Sequence, residues 1–483
     1  MNVIDRRSIL GGALGGAGLG ILPFENWLAG QAHAAGPVMT RYEASSPQGQ
    51  AMVAKYEKAV KIMMSTPSSS PCSWQFQWYT HFVKGATTKA AEIAAIYGPN
   101  PSPDKTLAQA AWNTCQAHSA GQDELMFLPW HRMFVYYFEC MIRTVLKDNT
   151  FTLPYWNYSS PATGAMPAPF RVAGSPLFRA SRNPGPNAGA AIPPGQVALT
   201  ALAQATYGPS GSAQGFDATL DFGLHGNVHV WLGNGVGMGS VPWAANDPIF
   251  WMHHCNIDRL WASWNKAGRT NPGGAWLNQT FTFANCDCKQ VVAKVVNFEK
   301  ISKLNYTYDR FEPVPVVIKR PTPLLTLSPT LHLQSTGVAL GAAAIRVPMQ
   351  PQATPSPKVS RFAAVGAALA PAKSMLLALD NVTTDLPPEV VYDVYLDLPA
   401  DTAPSPDGPN YVGSINFFAA HHPHADHGPE PLRRNFSLDA TAVVKRLAAA
   451  GKLTDTPTVT IVPSGTPNPN AKPLIGGIRI VEQ

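Results

Sequence analysis

The chain has 483 residues, 46 prolines, a formal net charge of +6 and only 14% charged residues. This length is sufficient for two or three domains with a large core, and the proline content predicts many rigid loops. Because the positive charge is spread along the chain without a run of Lys and Arg, the composition argues against a nucleic-acid-binding protein.

The first residues have the pattern of an export signal. Arg6 and Arg7 precede the apolar, Gly-rich run ILGGALGGAGLGIL, and Ala32-His33-Ala34 then resembles a small-x-small cleavage site. Paired arginines favour twin-arginine export of a folded protein, and the run is too short and too rich in glycine for a stable membrane span. We therefore expect residues 1–34 to be removed, and the mature chain to be periplasmic or secreted without a membrane span.

Residues 35–312 have mainly helical apolar spacing. Helices are predicted over 51–64, 90–97 and 129–145, whereas residues 159–215 are rich in Pro, Gly, Ala and Ser and predict surface loops. Asp247 and Pro248 suit the N-cap and first position of a further helix, which carries His253 and His254. We expect a mainly α catalytic domain, a helical bundle with many loops.

The C-terminal third changes character. Residues 313–358 are rich in proline and predict a linker, with a cleavable stretch near 350–358. Residues 359–483 then alternate with a period of two in SMLLALDNV, VVYDVYLDL, YVGSINFFA, TVTIVP and GGIRIVE, separated by turn residues. This pattern predicts a second, mostly antiparallel β domain, a sandwich.

The six cysteines form no CxxC pair of the zinc type, and an oxidising destination would permit disulfides. Cys140 and Cys255 lie in helical patterns, so we expect both to be buried small hydrophobic residues.

The histidines are concentrated between residues 81 and 254, although a single histidine is more often a core or surface residue than a ligand. Six of them divide into two groups of three: His81, His118 and His131, then His225, His229 and His254. His225 and His229 share one helix face. Three neutral imidazoles without a thiolate suit Cu, Zn, Fe or Ni, and a zinc hydrolase needs only one such group. Two groups therefore indicate a paired redox centre that handles O2.

Two segments resemble the copper signatures of the tyrosinase, polyphenol oxidase and haemocyanin family, the type-3 dicopper proteins. FLPWHR at 127–132 is similar to the first signature, and NDPIFWMHHCNIDRLW at 246–261 is similar to the second. Tyr306-Thr307-Tyr308 resembles the Tyr-x-Tyr motif that closes the catalytic core of the plant enzymes. Arg41 is placed like the arginine that packs on that motif, and the C-terminal strands resemble the β domain of plant and some bacterial polyphenol oxidases.

The resemblance implies two copper ions. It assigns His81, His118 and His131 to the first copper, and His225, His229 and His254 to the second. The family uses the second member of the histidine pair as the ligand, which places His253 next to the ligands; the residues alone do not choose between the two. Asp258 lies one turn past His254, where it is expected either to hydrogen-bond an imidazole N–H or to form a salt bridge with Arg259 or a lysine.

The first site departs from the family pattern. His118 and His131 are farther apart than the usual spacing, and Gln122 stands where the usual spacing would put a ligand. Glutamine is a poor copper ligand, so His118 is retained. Many members join a cysteine two residues before this histidine to a copper ligand by a thioether. Cys115 stands three before His118, so it forms such a bond or is a free or disulfide-bonded thiol.

Two residues near His225 bear on the reaction. In members that hydroxylate monophenols, an acidic residue and an asparagine beside this ligand are thought to hold the water that deprotonates the phenol. Here Gly226 follows His225 and has no side chain for this task, while Asp221 is placed like the acidic residue, although Asp217 also qualifies. The resemblance thus implies O2-dependent oxidation of o-diphenols to o-quinones, with weak monophenol hydroxylation. The alternatives are an o-aminophenol oxidase and a non-catalytic, haemocyanin-like O2-binding protein.

Three further expectations concern the surroundings of the site. Trp78, Phe127, Trp130 and Phe250 are expected either to wall it or to be ordinary core. The C-terminal domain is expected to cover the site and to keep the enzyme latent until proteolysis. The HHPHADH cluster at 421–427 is expected either to collect copper or to be an exposed polar loop.

Overall fold

The computed structural model describes residues 37–116, 125–211, 213–315, 330–351, 362–369, 373–418 and 434–483. The export signal, His118, Gln122 and the 421–427 histidine cluster lie outside these residues, so the expectations about them stay predictions. Within the described residues, no helix is both long enough and apolar enough to cross a membrane.

The N-terminal part is helical, as predicted. Its α-helices are α1 (Pro47–Ser65), α2 (Trp74–His81), α3 (Lys89–Tyr97), α4 (Pro103–Ala111), α5 (Phe127–Leu146), α6 (Pro184–Ala188), α7 (Gly215–Leu220), α8 (Gly226–Leu232), α9 (Val241–Ala244) and α10 (Ile249–Lys266). A π-helical turn, Asp221–His225, joins α7 to α8. Short 3-10 turns interrupt the loop region at Ala168–Arg171, Pro194–Val197 and Thr200–Ala203.

Side-chain oxygens accept hydrogen bonds at the starts of two helices, and one of these caps, Asp247, was predicted. The Ser73 hydroxyl accepts a hydrogen bond from the Phe76 N–H, 3.1 Å away, at the start of α2. One Asp247 carboxylate oxygen accepts from the Ile249 N–H at 3.1 Å, so this residue caps α10 although the helix begins one residue later than predicted. The Asp247 carboxylate also pairs with the buried guanidinium of Arg182. These caps fix the helices that carry the histidines.

Helices α5 and α10 pack together, and a buried charge network joins them to two short paired strands. Strand β1 (Met39–Arg41) runs parallel to β4 (Tyr306–Tyr308), and the guanidinium of Arg41 lies 3.8 Å from the centre of the Tyr306 ring. Asp258 on α10 accepts from Tyr306, Tyr308 and both arginines, Arg41 and Arg132. The expected partners of Asp258 were therefore wrong, because Arg132 comes from α5 and brings the two copper-signature helices together.

Two disulfides fasten a hairpin to these helices. The hairpin consists of β2 (Thr280–Ala284) and β3 (Gln290–Lys294), and it carries Cys286 and Cys288 in its turn. Cys288 is bonded to Cys72, and Cys286 is bonded to Cys140 on α5. Cys140 is buried, as predicted, but it is not an unpaired residue, since the turn brings Cys286 to it. Cys255 is free and buried, as predicted.

The C-terminal part is an antiparallel β-sandwich, as predicted. Its elements are β5 (Thr330–Ala339), β6 (Ile345–Pro348), β7 (Gln350–Pro351), α11 (Phe362–Ala368), β8 (Met375–Val382), β9 (Tyr392–Leu396), β10 (Tyr411–Ile415), β11 (Arg434–Asp439), α12 (Thr441–Ala449), β12 (Thr458–Pro463) and β13 (Leu474–Glu482). Within the described residues, one sheet has the order β10-β9-β12-β6 and the other the order β11-β8-β13-β5-β7. Apolar side chains of both sheets form one core, which includes Leu377, Val394, Ile461 and Ile480.

The prediction of a linker over 313–358 was wrong for residues 330–351. Strand β5 pairs with β13 from Thr330 opposite Glu482 to Ala339 opposite Leu474. Strand β6 pairs with β12 in the other sheet. The proline content misled the prediction because the prolines of this stretch fall at strand ends and at a sheet edge, where no ladder hydrogen bond is lost.

Candidate metal centre

The first histidine cluster joins two helices. His81 is the last residue of α2, and His131 lies in the first turns of α5; both are buried. His81, Cys115 and His131 offer donor atoms that all lie within 4.8 Å of one another. The Cys115 sulfur is 3.7 Å from Nε2 of His131, so the structure brings this thiol to the first site.

The second cluster lies where α8 meets α10. His225 ends the π-helical turn, His229 lies on α8, and His253 and His254 are adjacent on α10. One donor atom from each of the four lies within 4.8 Å of the others. The geometry therefore places His253 in the same group as the three assigned ligands and does not select between His253 and His254.

The two clusters are in contact. The rings of His131 and His254 stack in parallel, with centroids 4.2 Å apart. Phe127 bridges the clusters from α5, with its ring centroid 4.8 Å from that of His131 and 4.7 Å from that of His225. The molecule thus has a paired site on adjoining helices rather than two separate ones.

Several imidazoles are oriented so that one nitrogen faces the cluster. Nδ1 of His131 lies 2.8 Å from the Phe127 carbonyl oxygen, and Nδ1 of His229 lies 2.8 Å from the Met238 carbonyl oxygen. A carbonyl accepts, so each Nδ1 carries the proton and each Nε2 presents a lone pair. Such outer hydrogen bonds are what metal-bound histidines generally require.

Burial keeps these imidazoles neutral. It lowers the pKa of His131 to about 3, with a smaller contribution from His225. Burial likewise places the pKa of His229, His253 and His254 well below the ordinary histidine value. Neutral imidazole is the form that binds a metal ion.

The donor set fits copper. Among the described residues, Nε2 of His229 and both ring nitrogens of His254 are buried without a hydrogen-bond partner. Leaving such atoms unpaired is costly, and a metal ion would satisfy Nε2 of His229 and one ring nitrogen of His254. Imidazole nitrogens suit Cu, and a soft thiol beside the first cluster is compatible with Cu(I).

The two aspartates and the glycine predicted near His225 differ in what they contact. An Asp221 carboxylate oxygen lies 2.8 Å from Nδ1 of His225, so this aspartate orients the ligand. Asp217 instead accepts hydrogen bonds from the Leu128 N–H and the Tyr207 hydroxyl, which tie α7 to α5. Gly226 is buried at the start of α8.

The predicted aromatic walls divide into two groups. Trp130 and Phe250 contact the cluster; Phe250 has its ring centroid 4.9 Å from that of His81 and 4.2 Å from that of His254. Phe127 contacts both clusters. Trp78 instead packs on Trp243 and donates to the Pro242 carbonyl, as a core residue does.

Phe418 of the C-terminal domain also contacts the second cluster, and the sequence did not predict it. Its ring stacks on His229 with centroids 4.0 Å apart and approaches His225 edge-on at 5.5 Å. Its carbonyl accepts from the buried guanidinium of Arg434 at 2.7 Å. An aromatic residue in a segment with strand-like alternation is expected to lie in the hydrophobic core. Nothing in the local pattern of residues 411–418 distinguishes Phe418 from its buried neighbour Phe417.

The matches to known proteins agree with this site and fold. Residues 71–209 and 187–267 match the common central domain of tyrosinase, and residues 332–483 match DUF7868, a domain of unknown function. The chain is 26% identical to (+)-larreatricin hydroxylase of Larrea tridentata over 456 residues, which are 85% of this chain and 73% of that protein. It is 32% identical to tyrosinase HcTyr1 of Hahella sp. over 289 residues, 52% of this chain and 59% of that protein.

Solved structures show the same two-part fold. Latent apple tyrosinase has a TM-score of 0.62 at 22% identity, covering 92% of this chain and 97% of its own. Recombinant latent aurone synthase has a TM-score of 0.60 at 19% identity, covering 92% and 89%. The helical core and the β-sandwich therefore share the fold of these latent enzymes. The chain belongs to the tyrosinase and polyphenol oxidase family of type-3 copper proteins.

Proposed function

We propose that the chain is a copper-dependent polyphenol oxidase that oxidises o-diphenols to o-quinones with O2. The observation that carries this proposal is the contact between two buried histidine clusters on adjoining helices. His81, His118 and His131 would hold the first copper, and His225, His229 and His254 the second. Copper held there supplies the redox chemistry: two diphenols give up four electrons and four protons, and one O2 becomes two water molecules.

The residues of the chain orient the ligands and exclude water. The carbonyls of Phe127 and Met238 fix the tautomers of His131 and His229, and the Asp221 carboxylate fixes that of His225. Phe127 and Phe250 pack against the imidazoles and keep the site apolar. Tyr158 approaches Nδ1 of His253 at 3.0 Å and so holds the ring next to the ligands.

We expect o-diphenol oxidation to exceed monophenol hydroxylation by far. Gly226 has no side chain to hold a water beside His225, and the Asp221 carboxylate is already engaged with Nδ1 of that ligand. The measurement is a comparison of initial rates on tyrosine and on its catechol counterpart, with copper content determined on the same sample. Comparable rates on both substrates would contradict this expectation.

The same assay separates the alternatives. An o-aminophenol oxidase would turn over 2-aminophenol in preference to catechol. An O2-binding protein would load two copper ions per chain and release O2 without consuming either substrate. Copper content of one ion or none per chain after loading would refute the dicopper proposal itself.

The C-terminal domain is proposed to hold the enzyme latent, with Phe418 as the residue that blocks the second site. Removing its ring with Phe418→Ala is expected to raise the o-diphenol oxidation rate of the uncleaved chain by about tenfold or more, because more molecules become competent to bind substrate. Phe417→Leu is the control, since Phe417 packs against Tyr392 inside the sandwich. An equal rise in both variants would attribute the effect to general loosening of the domain.

Export by the twin-arginine route and removal of residues 1–34 remain part of the proposal. N-terminal sequencing of the mature protein, and loss of export when Arg6 and Arg7 are both replaced by Lys, would test it.

A further inference from the structure

Gly226 has no room for a side chain because a residue of the C-terminal domain occupies the space. A Cβ built on Gly226 would lie 2.7 Å from both Cγ and Nδ2 of Asn416, and closer still to Oδ1. Contacts under 3 Å force one of the two groups to move. The obstacle is a buried carboxamide held on several sides, so it cannot swing away as the end of a surface side chain would.

Every polar atom of the Asn416 side chain is used. Nδ2 donates to the Phe222 carbonyl at 2.6 Å and to Oδ1 of Asn227 at 2.9 Å, and it lies 3.4 Å from the Gly223 carbonyl. Oδ1 accepts from the Phe418 N–H at 3.2 Å. Asn416 is only 1% exposed. The carboxamide therefore links the blocking residue to the helix that carries the second cluster.

The backbone that receives Asn416 is irregular. Gly223 has φ −88° and ψ −109°, which breaks the helix inside the π-helical turn Asp221–His225. Turns of this kind leave carbonyls outside the regular helical ladder and often lie at functional sites. The Phe222 carbonyl, three residues before His225, finds its donor in the other domain.

We propose that Gly226 and Asn416 form an interdomain lock: Gly226 admits the carboxamide, and the carboxamide secures the turn that presents His225. The function of the glycine is then to dock the C-terminal domain, in addition to any effect on phenol hydroxylation. Asn416 acts as a positioning residue through the Phe222–His225 backbone, whereas Phe418 blocks the rings directly. The inference builds on the proposed latency but concerns docking, which is measurable without any oxidation.

The test is hydrogen–deuterium exchange on the full-length, copper-loaded chain. Gly226→Ala and Asn416→Ala should each accelerate exchange by about tenfold or more in peptides spanning 222–228 and 413–418. The first displaces the carboxamide that makes the buried interdomain hydrogen bonds, and the second removes it. Gly273→Ala is the matched control, because a Cβ at Gly273 meets nothing within 4 Å. Wild-type exchange rates in Gly226→Ala would overturn the proposal.

A double-mutant cycle distinguishes a lock from a general need for glycine. Alanine at 416 lacks all three atoms that a Cβ at 226 would meet, so Gly226→Ala should add little exchange when Asn416 is already Ala. If Gly226→Ala accelerates exchange equally with Asn416 and with Ala at position 416, then Asn416 is not the reason that position 226 requires glycine. That result would overturn the proposal.

Asn416→Asp distinguishes loss of the interdomain hydrogen bonds from unfolding of the whole C-terminal domain. It preserves the size of the side chain but removes both N–H donors and places a carboxylate oxygen against the Phe222 carbonyl. Exchange should rise in 222–228 and 413–418 and stay at the wild-type rate in 474–482, within the sandwich. Protection of 222–228 equal to that of the wild type would overturn the positioning role. Failure to oxidise diphenols would leave these outcomes unaffected and would count only against the proposed function.

Discussion

At the scale of single residues, the Asp258 carboxylate connects α10 with α5 and with the paired strands β1 and β4. Burial would raise the pKa of its carboxyl, but Arg132 and Arg41 hold that pKa below its ordinary value. The carboxylate receives both guanidinium groups and two tyrosine hydroxyls while it is 3% exposed. Burying a charge costs free energy, and this cost is offset only when all the partners of the charge are present.

Asp258→Asn should therefore destabilise the protein by about 3–5 kcal/mol, because two buried arginines lose their shared counter-charge. Asp380→Asn is the control: its partner Arg479 has a 43% exposed side chain, and such pairs contribute about 1 kcal/mol or less. Urea unfolding of both variants measures the difference. Equal losses in the two variants would contradict a special role for Asp258.

Residue-level prediction from the sequence succeeded where a local pattern carried the signal. Helical spacing placed His225 and His229 on one face, the resemblance to the copper signatures supplied His131 and His254, and the capping pattern of Asp247 located α10. Partners far apart in the sequence were not accessible in this way. The pairing of Asp258 with Arg132, the Cys140–Cys286 bond and the approach of Asn416 to Gly226 each depend on packing between distant segments, for which one sequence contains no local signature.

At the scale of elements, strand β5 decides how the C-terminal domain can be released. It lies between β13 and β7 in the five-stranded sheet, and β6 lies at the edge of the other sheet. A cut near 350–358 would thus leave β5 and β6 on the catalytic fragment but still paired with the C-terminal strands. The alternation of period two was visible in β8, β9, β10, β12 and β13, whereas β11 was not predicted and the prolines around β5 to β7 concealed their strands.

A protease site placed between residues 351 and 362 should leave the two fragments associated after cleavage, with no gain in o-diphenol oxidation. The same site placed between residues 315 and 330 should let the sandwich separate intact and should increase oxidation, because no strand pairing among the described residues crosses that cut. Size-exclusion chromatography of the cleaved chains without denaturant, followed by the oxidation assay, measures both. Identical behaviour of the two cleaved chains would contradict the strand assignment as the determinant of release.

At the scale of the whole molecule, a carboxyl lies at the seam between the domains. Asp393 of β9 accepts from the Ser414 hydroxyl at 2.8 Å and from the Gln196 amide of the catalytic domain at 3.3 Å. Burial raises its pKa to about 6, although these two hydrogen bonds favour the charged form. Tyr411 and Tyr395 are the other titratable side chains that interact with it, and both have raised pKa values.

Because the folded protein binds a proton at Asp393 more tightly than the unfolded chain does, this group favours folding at low pH. Its contribution is fully present below pH 3.8 and is lost as the pH rises to about 6. Asp393→Asn should stabilise the protein at pH 7.5 by up to about 3 kcal/mol and make no such difference at pH 3.5. Thermal unfolding at both values measures this, with the exposed Asp385→Asn as control. Stabilisation of equal size at both pH values would contradict the assignment.

The position of β13 also determines when the C-terminal domain can be completed during synthesis. This strand lies between β8 and β5 in its sheet, yet it follows every other strand in the chain. The sheet cannot be completed until β13 has been synthesised, and the other sheet, which leads to Phe418, packs on it through a shared core. At typical elongation rates, translation of residues 316–483 takes roughly 10–30 s. We therefore expect the histidine clusters of a newly made molecule to stay accessible to metal until this last strand has been made.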